Sequence, residues 1–304
     1  MNELKSIVKG TLLENEPMSK HTSYGIGGPA FAYITPKDSN DLSEILIFAA
    51  KYDIPVHFIG SGSNLLVSDD GIKGIVLSPA KSLKKLEINH NVIIAESGVM
   101  LGKLVKECIK RNLTGLESLI GVPGTLGGAL VMNAGAFGGE ISNYLISVDV
   151  MTLRGKVKSY KSNEIDFAYR FSSFKTDEFI LLARFELQIE DPDIISEKRT
   201  KASSGRKTNQ PLRFRSAGSV FKNPKDYAAG YLIDKVGLKG TRIGDAEIST
   251  HHANFFINHG NASASEITEL IRLARKAVLE KFDIELELEI KTIGFEKDQI
   301  EAHG

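Results

Sequence analysis

A short segment around residue 220 contains side chains suited to proton transfer and anion binding. Residues 216–224 read Ser-Ala-Gly-Ser-Val-Phe-Lys-Asn-Pro. Ser219 could present its hydroxyl to a substrate, while Lys222 and Asn223 could bind an anionic or sugar group. An ordinary turn explains the same residues, and residue chemistry alone leaves both interpretations open. Because no glycine stands two positions after Ser219, the Gly-x-Ser-x-Gly elbow is absent, which disfavours a lipase-like nucleophilic serine.

A second candidate is an arginine that lies among aromatic residues. Residues 168–175 read Ala-Tyr-Arg-Phe-Ser-Ser-Phe-Lys, with Arg170 between Tyr169 and Phe171. A guanidinium group can hold a carboxylate through two parallel hydrogen bonds. An arginine that lies over aromatic rings, or is paired at the surface, fits the pattern equally well.

Three glycine-rich segments indicate close approach of the backbone to something bulky. Residues 24–29 read Tyr-Gly-Ile-Gly-Gly-Pro, residues 60–64 read Gly-Ser-Gly-Ser-Asn, and residues 121–139 contain seven glycines. Glycine costs conformational entropy in regular elements, so such density favours positive φ angles or exposed amide groups. Successive backbone N–H groups at turns form concave sites for anions such as a pyrophosphate. The segments therefore predict one extended cofactor, with tight turns between strands as the alternative.

Neither of two common nucleotide-binding motifs fits these segments. In the loop at 60–64, Leu65 stands where a Rossmann fingerprint has its third glycine, and residues 65–67 look like a strand instead of a helix. A P-loop ends in Gly-Lys-Ser/Thr, and none of the glycine segments does. The predicted cofactor site is thus of another kind.

The sequence gives no support for a metal site or a reactive thiol. Cys108 is the only cysteine, and Leu101, Leu104, Val105 and Cys108 would share one helical face, so we expect a core residue. The pair at 251–252 consists of adjacent histidines without the spacing of metal ligands. We therefore expect no metal.

Composition bounds the class of protein. A chain of 304 residues favours two domains. The 38 Lys and Arg residues balance 38 Asp and Glu residues, which argues against a broad nucleic-acid-binding surface and leaves a local basic patch open, and we expect no nucleic-acid partner. The apolar runs fall short of the roughly 20 residues that span a bilayer, and the N-terminus lacks a secretory signal pattern, so we expect a cytoplasmic protein away from membranes. We expect a monomer, and an oligomer stays open.

The periodicity of apolar residues predicts a mixture of helices and short strands without regular alternation. Ser263 and Glu266 form a capping-box pattern ahead of the last predicted helix, and residues 284–290 alternate strictly between apolar residues and glutamates, which predicts a strand. The polar stretch 190–210 could be a linker or a solvated helix between domains, and we place the boundary there. Helices are predicted at 41–52, 101–111 and 264–282, and other strands at 56–59, 65–67, 74–77, 92–95, 148–153 and 180–187.

Taken in order along the chain, the motifs resemble the UDP-N-acetylenolpyruvoylglucosamine reductase family, flavoenzymes that make UDP-N-acetylmuramate for the bacterial cell wall. Each motif is weak alone, whereas their combination and order are specific. Only three residues, 176–178, separate Lys175 from the apolar run at 179–182, which resembles the subtype with a short loop after the arginine. The resemblance rests on residues 21–30, 60–67, 121–139, 169–170, 216–224, 229–234 and 289–294.

The resemblance implies an α+β fold. A vanillyl-alcohol-oxidase-type FAD-binding region of two subdomains would occupy residues 1–195, and a C-terminal α+β substrate-binding domain would occupy residues 196–304. The glycine segments would then hold FAD, non-covalently, because none of residues 60–67 is a histidine that could attach it. The implied cofactor-binding residues are Tyr24, Gly27, Gly60, Ser61, Gly62, Ser63, Asn64, Leu65, Gly121, Pro123, Gly124, Gly127, Gly128, Asn133, Ala134, Gly135 and Ala136.

The resemblance also implies a reaction. NADPH reduces FAD, and hydride then passes from flavin N5 to C3 of the enolpyruvyl group of UDP-N-acetyl-3-O-(1-carboxyvinyl)-glucosamine. Arg170 and Glu289 match the positions that stabilise the resulting negative charge, and Ser219 matches the donor of a proton to C2. Lys222 and Asn223 are candidates for substrate binding. Arg213, in a basic stretch before the serine segment, is our hypothesis for a contact with the UDP diphosphate.

Two other functions stay open from the sequence. One is a flavin oxidase of the same fold that passes electrons to oxygen. The other is a nucleotide-sugar-binding protein without redox activity. The absence of a flavin-linking histidine disfavours the first, and the joint presence of Arg170, Ser219 and Glu289 disfavours the second.

Overall fold

The computed structural model describes residues 1–300. Within this range the chain forms two compact units, each built from separate stretches of sequence. Unit 1 consists of residues 1–14, 32–61 and 74–206. Unit 2 consists of residues 15–31, 62–73 and the chain from 207 onwards.

Helices and short strands alternate irregularly along the chain, as the sequence predicts. The helices are α1 (Asn2–Ile7), α2 (Ser39–Lys51), α3 (Leu101–Ile109), α4 (Leu126–Val131), α5 (Pro192–Asn209), α6 (Ala229–Lys235), α7 (Ala264–Phe282) and α8 (Lys297–Ile300). The strands are β1 (Thr11–Pro17), β2 (Pro29–Thr35), β3 (Val56–Phe58), β4 (Leu65–Val67), β5 (Ile72–Leu77), β6 (Leu86–Asn89), β7 (Val92–Glu96), β8 (Leu113–Thr114), β9 (Gly135–Ala136), β10 (Gly139–Glu140), β11 (Leu145–Thr152), β12 (Val157–Lys161), β13 (Phe167–Ala168), β14 (Phe171–Ser172), β15 (Glu178–Glu186), β16 (Gln188–Ile189), β17 (Arg242–Ile243), β18 (Ala246–Ile248), β19 (Phe256–Asn258) and β20 (Lys291–Ile293).

Unit 1 is organised around an antiparallel sheet of order β12-β11-β15-β7-β6. Helix α3 turns Leu101, Leu104, Val105 and Cys108 into the core beside this sheet, which is the face that the sequence predicts. A further sheet has the order β1-β2-β5-β3, with β3 and β5 parallel. The apolar stripe of α2 belongs to a separate cluster that includes residues of β3 and β5. Layering of helices on sheets buries apolar surface that neither element could bury alone.

Unit 2 packs α7 against the antiparallel sheet β17-β18-β19. The predicted capping box is present, because the Ser263 hydroxyl accepts a hydrogen bond from the Glu266 amide at 3.1 Å and the Glu266 carboxylate accepts one from the Ser263 amide at 3.1 Å. The predicted apolar stripe from Ile267 to Val278 is buried. A parallel pair, β4 with β20, joins residues 65–67 to residues 291–293.

The stretch 190–210 is a helix over most of its length, so the helical alternative is correct. Helix α5 buries only Ile195 and Ala202, which explains why its pattern is hard to distinguish from that of a linker. The predicted functional division at residue 195 falls inside α5. The two compact units are defined by contacts within the chain, whereas the division at residue 195 separates regions that bind different ligands. The boundary at residue 195 therefore stays a prediction.

The predicted strand over 284–290 is wrong. Within this segment only Leu288 forms a bridge, with Phe221, and regular pairing begins at Lys291. The alternation nevertheless persists in burial, since Leu286 and Ile290 are buried while Glu285 and Glu287 are exposed. The apolar alternation therefore predicts correctly which side chains face the core. It does not predict a hydrogen-bonded strand pair, because such a pair needs a partner strand of matching length.

Candidate active site

Arg170 lies at the tip of a two-residue hairpin between β13 and β14. Its φ angle is +55°, in the left-handed region that favours glycine. Its guanidinium carbon lies 4.9 Å from the centre of the Tyr169 ring, so the aromatic contact considered from sequence is present. Strained residues persist where the surrounding structure holds them and cluster at functional sites. The strain at Arg170 thus motivates a functional role beyond the ring contact.

The hairpin that carries Arg170 is joined to the glycine segment 121–139. Asn133, buried and with φ +41°, donates from Nδ2 to the Ala168 carbonyl at 3.1 Å and to Glu140 Oε2 at 2.9 Å. A Cβ built on Gly135 would lie 3.6 Å from Arg170 Nη1. Unit 1 therefore brings Arg170 together with Asn133 and Gly135.

The start of the glycine segment also meets the loop that follows β3. A Cβ on Gly60 would lie 2.5 Å from Thr125 Oγ1, so this approach requires glycine. The Gly127 amide donates to the Ser97 carbonyl at 2.9 Å, and the Gly128 amide donates to Thr125 Oγ1 at 3.4 Å. These two amides are used inside the unit, so Gly127 and Gly128 provide close backbone approach instead of exposed N–H groups.

Several buried polar atoms around the glycine segment have no hydrogen-bond partner among residues 1–300. In unit 1 they include Ser97 Oγ, Ser118 Oγ, Asn133 Oδ1 and Arg206 Nε. Each such atom costs roughly 1–3 kcal/mol if it stays unsatisfied. A Cβ on Gly127 would meet Ser97, one on Gly139 would meet Ser118, and one on Gly121 would lie 3.4 Å from Arg206 Nε. The unsatisfied atoms thus border one segment, which indicates that a ligand or water satisfies them there.

Arg206 is a residue that the sequence analysis missed. It stands near the end of α5, where neighbouring cations such as Arg199 and Lys207 are exposed and Arg206 is half-buried. Burial lowers the pKa of Arg206, and the positive charge of Arg170 lowers it further. No signal in the polar pattern of α5 distinguishes this arginine from its exposed neighbours.

Ser219 is held in an extended segment of unit 2. The Val220 amide donates to the Asn254 carbonyl at 2.8 Å, and the Asn254 side chain both accepts from the Phe221 amide at 2.9 Å and donates to the Phe221 carbonyl at 2.8 Å. Val220 and Phe221 are fully buried, while Ser219 is half-buried. The segment thus anchors its apolar residues and leaves the Ser219 hydroxyl at the edge of the core.

Glu289 lies beside the same segment. Its amide donates to the Val220 carbonyl at 2.8 Å, and its carbonyl accepts from Asn64 Nδ2 at 3.0 Å. Asn64 in turn accepts a hydrogen bond at its own carbonyl from the Lys291 amide at 3.0 Å. Unit 2 therefore brings the backbones of Ser219 and Glu289 together with Asn64.

The three glutamates of the alternating segment differ in environment. Glu289 is half-buried, whereas Glu285 and Glu287 are exposed. The Glu287 side chain, 72% exposed, pairs with Lys222 Nζ. Burial thus singles out Glu289, and the predicted substrate-binding Lys222 already has an acidic partner on the same unit.

The remaining predicted residues of unit 2 have mixed environments. Tyr24 is fully buried, its hydroxyl has no partner among residues 1–300, and burial raises its pKa above the usual range. Gly27 and Gly62 have positive φ angles, and a Cβ there would lie 2.8 Å from Val67 Cβ and 1.9 Å from the His21 carbonyl, respectively. Packing alone therefore requires these two glycines.

The other predicted residues are described by exposure and local contacts. Asn223 Oδ1 accepts a hydrogen bond from the Ala229 amide at 3.0 Å, at the start of α6. Arg213 is exposed, and Leu65 is buried in β4. Ser61, Ser63, Ala134 and Ala136 are half-buried, Gly124 is buried, and Gly121 and Pro123 are exposed.

Two family models match the chain. One is described as an FAD binding domain and matches residues 30–160. The other is described as the C-terminal domain of UDP-N-acetylenolpyruvoylglucosamine reductase and matches residues 210–293. The first range contains the loop at 60–64 and the glycine segment, and the second contains Ser219 and Glu289.

Similar proteins cover almost the whole chain. The UDP-N-acetylenolpyruvoylglucosamine reductase of Listeria monocytogenes serotype 4a is 42% identical over 93% of this chain and 95% of its own length. That of Clostridium novyi is 41% identical over 97% of both chains. The crystal structure of UDP-N-acetylenolpyruvylglucosamine reductase from Thermus caldophilus is 34% identical, covers 94% of this chain and 99% of its own, and has a TM-score of 0.81.

Proposed function

Because this chain belongs to the UDP-N-acetylenolpyruvoylglucosamine reductase family, we propose that it reduces the enolpyruvyl group of UDP-N-acetyl-3-O-(1-carboxyvinyl)-glucosamine to give UDP-N-acetylmuramate. Identity of 42% over nearly the full length of both chains carries this conclusion. The family resemblance, the α+β fold with an FAD-binding region, and the enzyme class predicted from sequence are confirmed. The protein is an FAD-dependent oxidoreductase of peptidoglycan precursor synthesis, with NADPH as reductant.

The residues present fit FAD. The glycine segment lies within the matched FAD-binding range and is bordered by the unsatisfied atoms of Ser97, Ser118 and Asn133. An extended ligand with a pyrophosphate and a polar ring edge offers acceptors and donors for such groups. When bound, FAD supplies the hydride that NADPH delivers and that reaches C3 of the enolpyruvyl group. Non-covalent attachment stays a prediction.

Arg170 is proposed to stabilise the charge that develops on the substrate. Addition of hydride at C3 leaves negative charge at C2, which spreads into the neighbouring carboxylate. A planar guanidinium can hold this carboxylate with two hydrogen bonds, and preorganised charge of this kind is commonly the largest single contribution to catalysis. The hairpin tip holds Arg170 in a strained but fixed backbone conformation, which supports such preorganisation.

Glu289 and Ser219 are proposed to complete the reaction. Glu289 would help to stabilise the negative charge of the enolate, and its half-buried position supports this role better than the exposed positions of Glu285 and Glu287. Ser219 would donate a proton to C2. Serine is a weak acid, but an enolate carbon is a strong base, so a well-placed hydroxyl can complete the transfer.

The remaining proposed roles concern binding of the nucleotide sugar. Lys222 and Asn223 would bind the nucleotide sugar. Lys222 forms an ion pair with Glu287, so it would bind the sugar either while it keeps this ion pair or after the ion pair breaks. Arg213 is exposed and could meet the diphosphate. We further propose that residues 1–195 bind FAD and residues 196–304 bind the substrate.

The cellular setting of the proposed reaction is also a proposal. The substrate is a small molecule, and we propose a cytoplasmic monomer that acts without nucleic acid or membrane. Within residues 1–300, none of the helices has the length and apolar character needed to cross a bilayer.

One cuvette experiment tests the function. The visible spectrum of the purified protein is recorded, NADPH is added without oxygen, and the enolpyruvyl substrate follows. Flavin bands that bleach with NADPH and return with the substrate support both half-reactions. Bleaching without return would reject this substrate, and oxygen consumption with NADPH alone at turnover rates would favour the oxidase. A protein without flavin bands after reconstitution would favour a nucleotide-sugar-binding protein.

A further inference from the structure

A second guanidinium lies on the same glycine segment as Arg170. Arg206 Nε is buried and has no acceptor among residues 1–300. A Cβ on Gly121, where φ is +78°, would lie 3.2 Å from Arg206 Cδ, so the Arg206 side chain packs closely against the backbone of Gly121. Fourteen positions further along the same segment, a Cβ built on Gly135 would lie 3.6 Å from Arg170 Nη1.

The position of Arg206 is fixed by the packing of α5 on unit 1. A Cβ on Gly205 would lie 2.8 Å from the Phe137 ring, so this glycine allows the helix to approach the segment closely. About two turns earlier in α5, Lys198 Nζ donates to Thr114 Oγ1 at 3.1 Å. The end of α5 therefore contacts the glycine segment at two places, through Gly205 beside Phe137 and through Arg206 beside Gly121.

The position of the Arg206 guanidinium is unfavourable without an anion. Arg206 is partly removed from water, has no ion-pair partner among the described residues, and carries the same charge as its neighbour Arg170. A buried charge is costly unless it is paired and hydrogen-bonded. An arginine that keeps its charge in such a place is typical of an oxyanion site, where planar donors hold a carboxylate or a phosphate.

We propose that Arg206 binds the enolpyruvyl carboxylate of the substrate together with Arg170. This inference rests on the proposed function, which supplies the carboxylate that Arg170 holds. An FAD pyrophosphate or the UDP diphosphate has related oxyanion chemistry, so the experiment must separate these sources. Arg206 would share with Arg170 the negative charge of the carboxylate.

The test compares ligands that differ by the carboxylate. Arg206→Met keeps much of the aliphatic stem against Gly121 and removes the charge. Arg199→Met is the matched control, since Arg199 is an exposed arginine of the same helix. Calorimetry on the oxidised holoenzyme measures the Kd of the enolpyruvyl substrate and of UDP-N-acetylglucosamine, which lacks the enolpyruvyl group. Flavin fluorescence measures the Kd of FAD for each protein.

We expect Arg206→Met to weaken binding of the enolpyruvyl substrate about 10- to 100-fold, the usual range for a lost charge-assisted hydrogen bond. Binding of UDP-N-acetylglucosamine and FAD should change less than about threefold, and Arg199→Met should change none of the three. Equal losses for both nucleotide sugars would assign Arg206 to the diphosphate and overturn the proposal. A loss of affinity for FAD alone would assign Arg206 to the cofactor and would also overturn the proposal. The proposal would likewise be overturned if no affinity changed.

A second variant protects the test against misfolding. Arg206→Lys keeps the charge but loses the fork of donors, so it should fold, keep FAD, and bind the enolpyruvyl substrate several-fold more weakly with UDP-N-acetylglucosamine unaffected. The carboxylate role would be rejected if Arg206→Lys bound both nucleotide sugars as tightly as the parent protein does and Arg206→Met were folded with unchanged affinities. If the parent protein itself binds the enolpyruvyl substrate no better than UDP-N-acetylglucosamine and does not reduce it, the proposed function fails before Arg206 is tested.

Discussion

The strained backbone at Arg170 predicts that two substitutions with the same effect on activity differ in stability. The φ angle of +55° places a non-glycine residue in the left-handed region, at a cost of about 1–2 kcal/mol relative to a relaxed conformation. Arg170→Ala removes the guanidinium and keeps this strain, whereas Arg170→Gly removes both. Comparison of the two substitutions therefore isolates the backbone term, because neither retains the contact with the Tyr169 ring.

The expected difference is small but measurable. Glycine relieves the 1–2 kcal/mol of strain but gains conformational freedom in the unfolded chain, which offsets about 0.4–1 kcal/mol. We expect Arg170→Gly to exceed Arg170→Ala in free energy of unfolding by about 1 kcal/mol, equivalent to roughly 2–4 °C in Tm for a unit of this size. Both variants should lose reoxidation of the reduced flavin by the enolpyruvyl substrate, since both lack the cation.

The measurement is urea unfolding followed by circular dichroism, at a fixed excess of FAD. Tyr169 provides the matched control, because it is the other residue of the hairpin loop and its φ is not in the positive region. There the order should reverse, with Tyr169→Ala more stable than Tyr169→Gly by roughly 0.4–1 kcal/mol. If the glycine variant at 170 were as unstable as the alanine variant or less stable, the argument from strain would be refuted.

Three further predictions concern the proposed chemistry and the buried thiol. Ser219→Ala should leave reduction of the flavin by NADPH intact and slow its reoxidation by the substrate by about 10²-fold or more, measured by stopped flow; two unchanged half-reactions would remove the assignment. Glu289→Gln should abolish turnover while Glu287→Gln, at the exposed position that pairs with Lys222, should retain it, and the reverse outcome in a steady-state assay would move the role to Glu287. Burial raises the pKa of Cys108 to about 12, so little of the thiol is ionised at pH 8.5 in the folded protein. Alkylation at pH 8.5 should therefore be slow until urea unfolds the protein and restores an ordinary thiol pKa. Rapid alkylation of the folded protein would show that the thiol is accessible and would contradict this prediction.

Elements that depend on neighbours in sequence were predicted well. The capping box of α7, its apolar stripe, and the core face of α3 all arise from residues three or four positions apart, so a window of the sequence contains the whole signal. The alternation at 284–290 also reported burial correctly. The same alternation predicted strand pairing incorrectly. The segment that pairs with it, residues 220–222, is short, and the residues at 284–290 carry no information about the length of that distant partner.

Features that depend on distant packing could not be predicted. The sequence indicates that Gly27 and Gly62 are in turns, but their need for glycine comes from Val67 and His21, which only the folded backbone brings near. Arg206 illustrates the same limit within the candidate site. Its burial follows from the approach of α5 to the glycine segment, and nothing in the polar pattern of that helix separates it from its exposed neighbours.

The parallel pair of β4 and β20 has a consequence for the order in which this protein is made. Register couples Leu65 to Lys291, so the two strands are separated by 291 − 65 = 226 residues of chain. At a synthesis rate of roughly 5–20 residues per second, β4 is synthesised about 11–45 s before its partner. During that interval residues 62–73, which belong to unit 2, have been made while the chain from 207 onwards is still being added. The edge of β4 must therefore stay soluble and unpaired for most of the time needed to translate the protein, which is a demand on the nascent chain that the finished fold no longer displays.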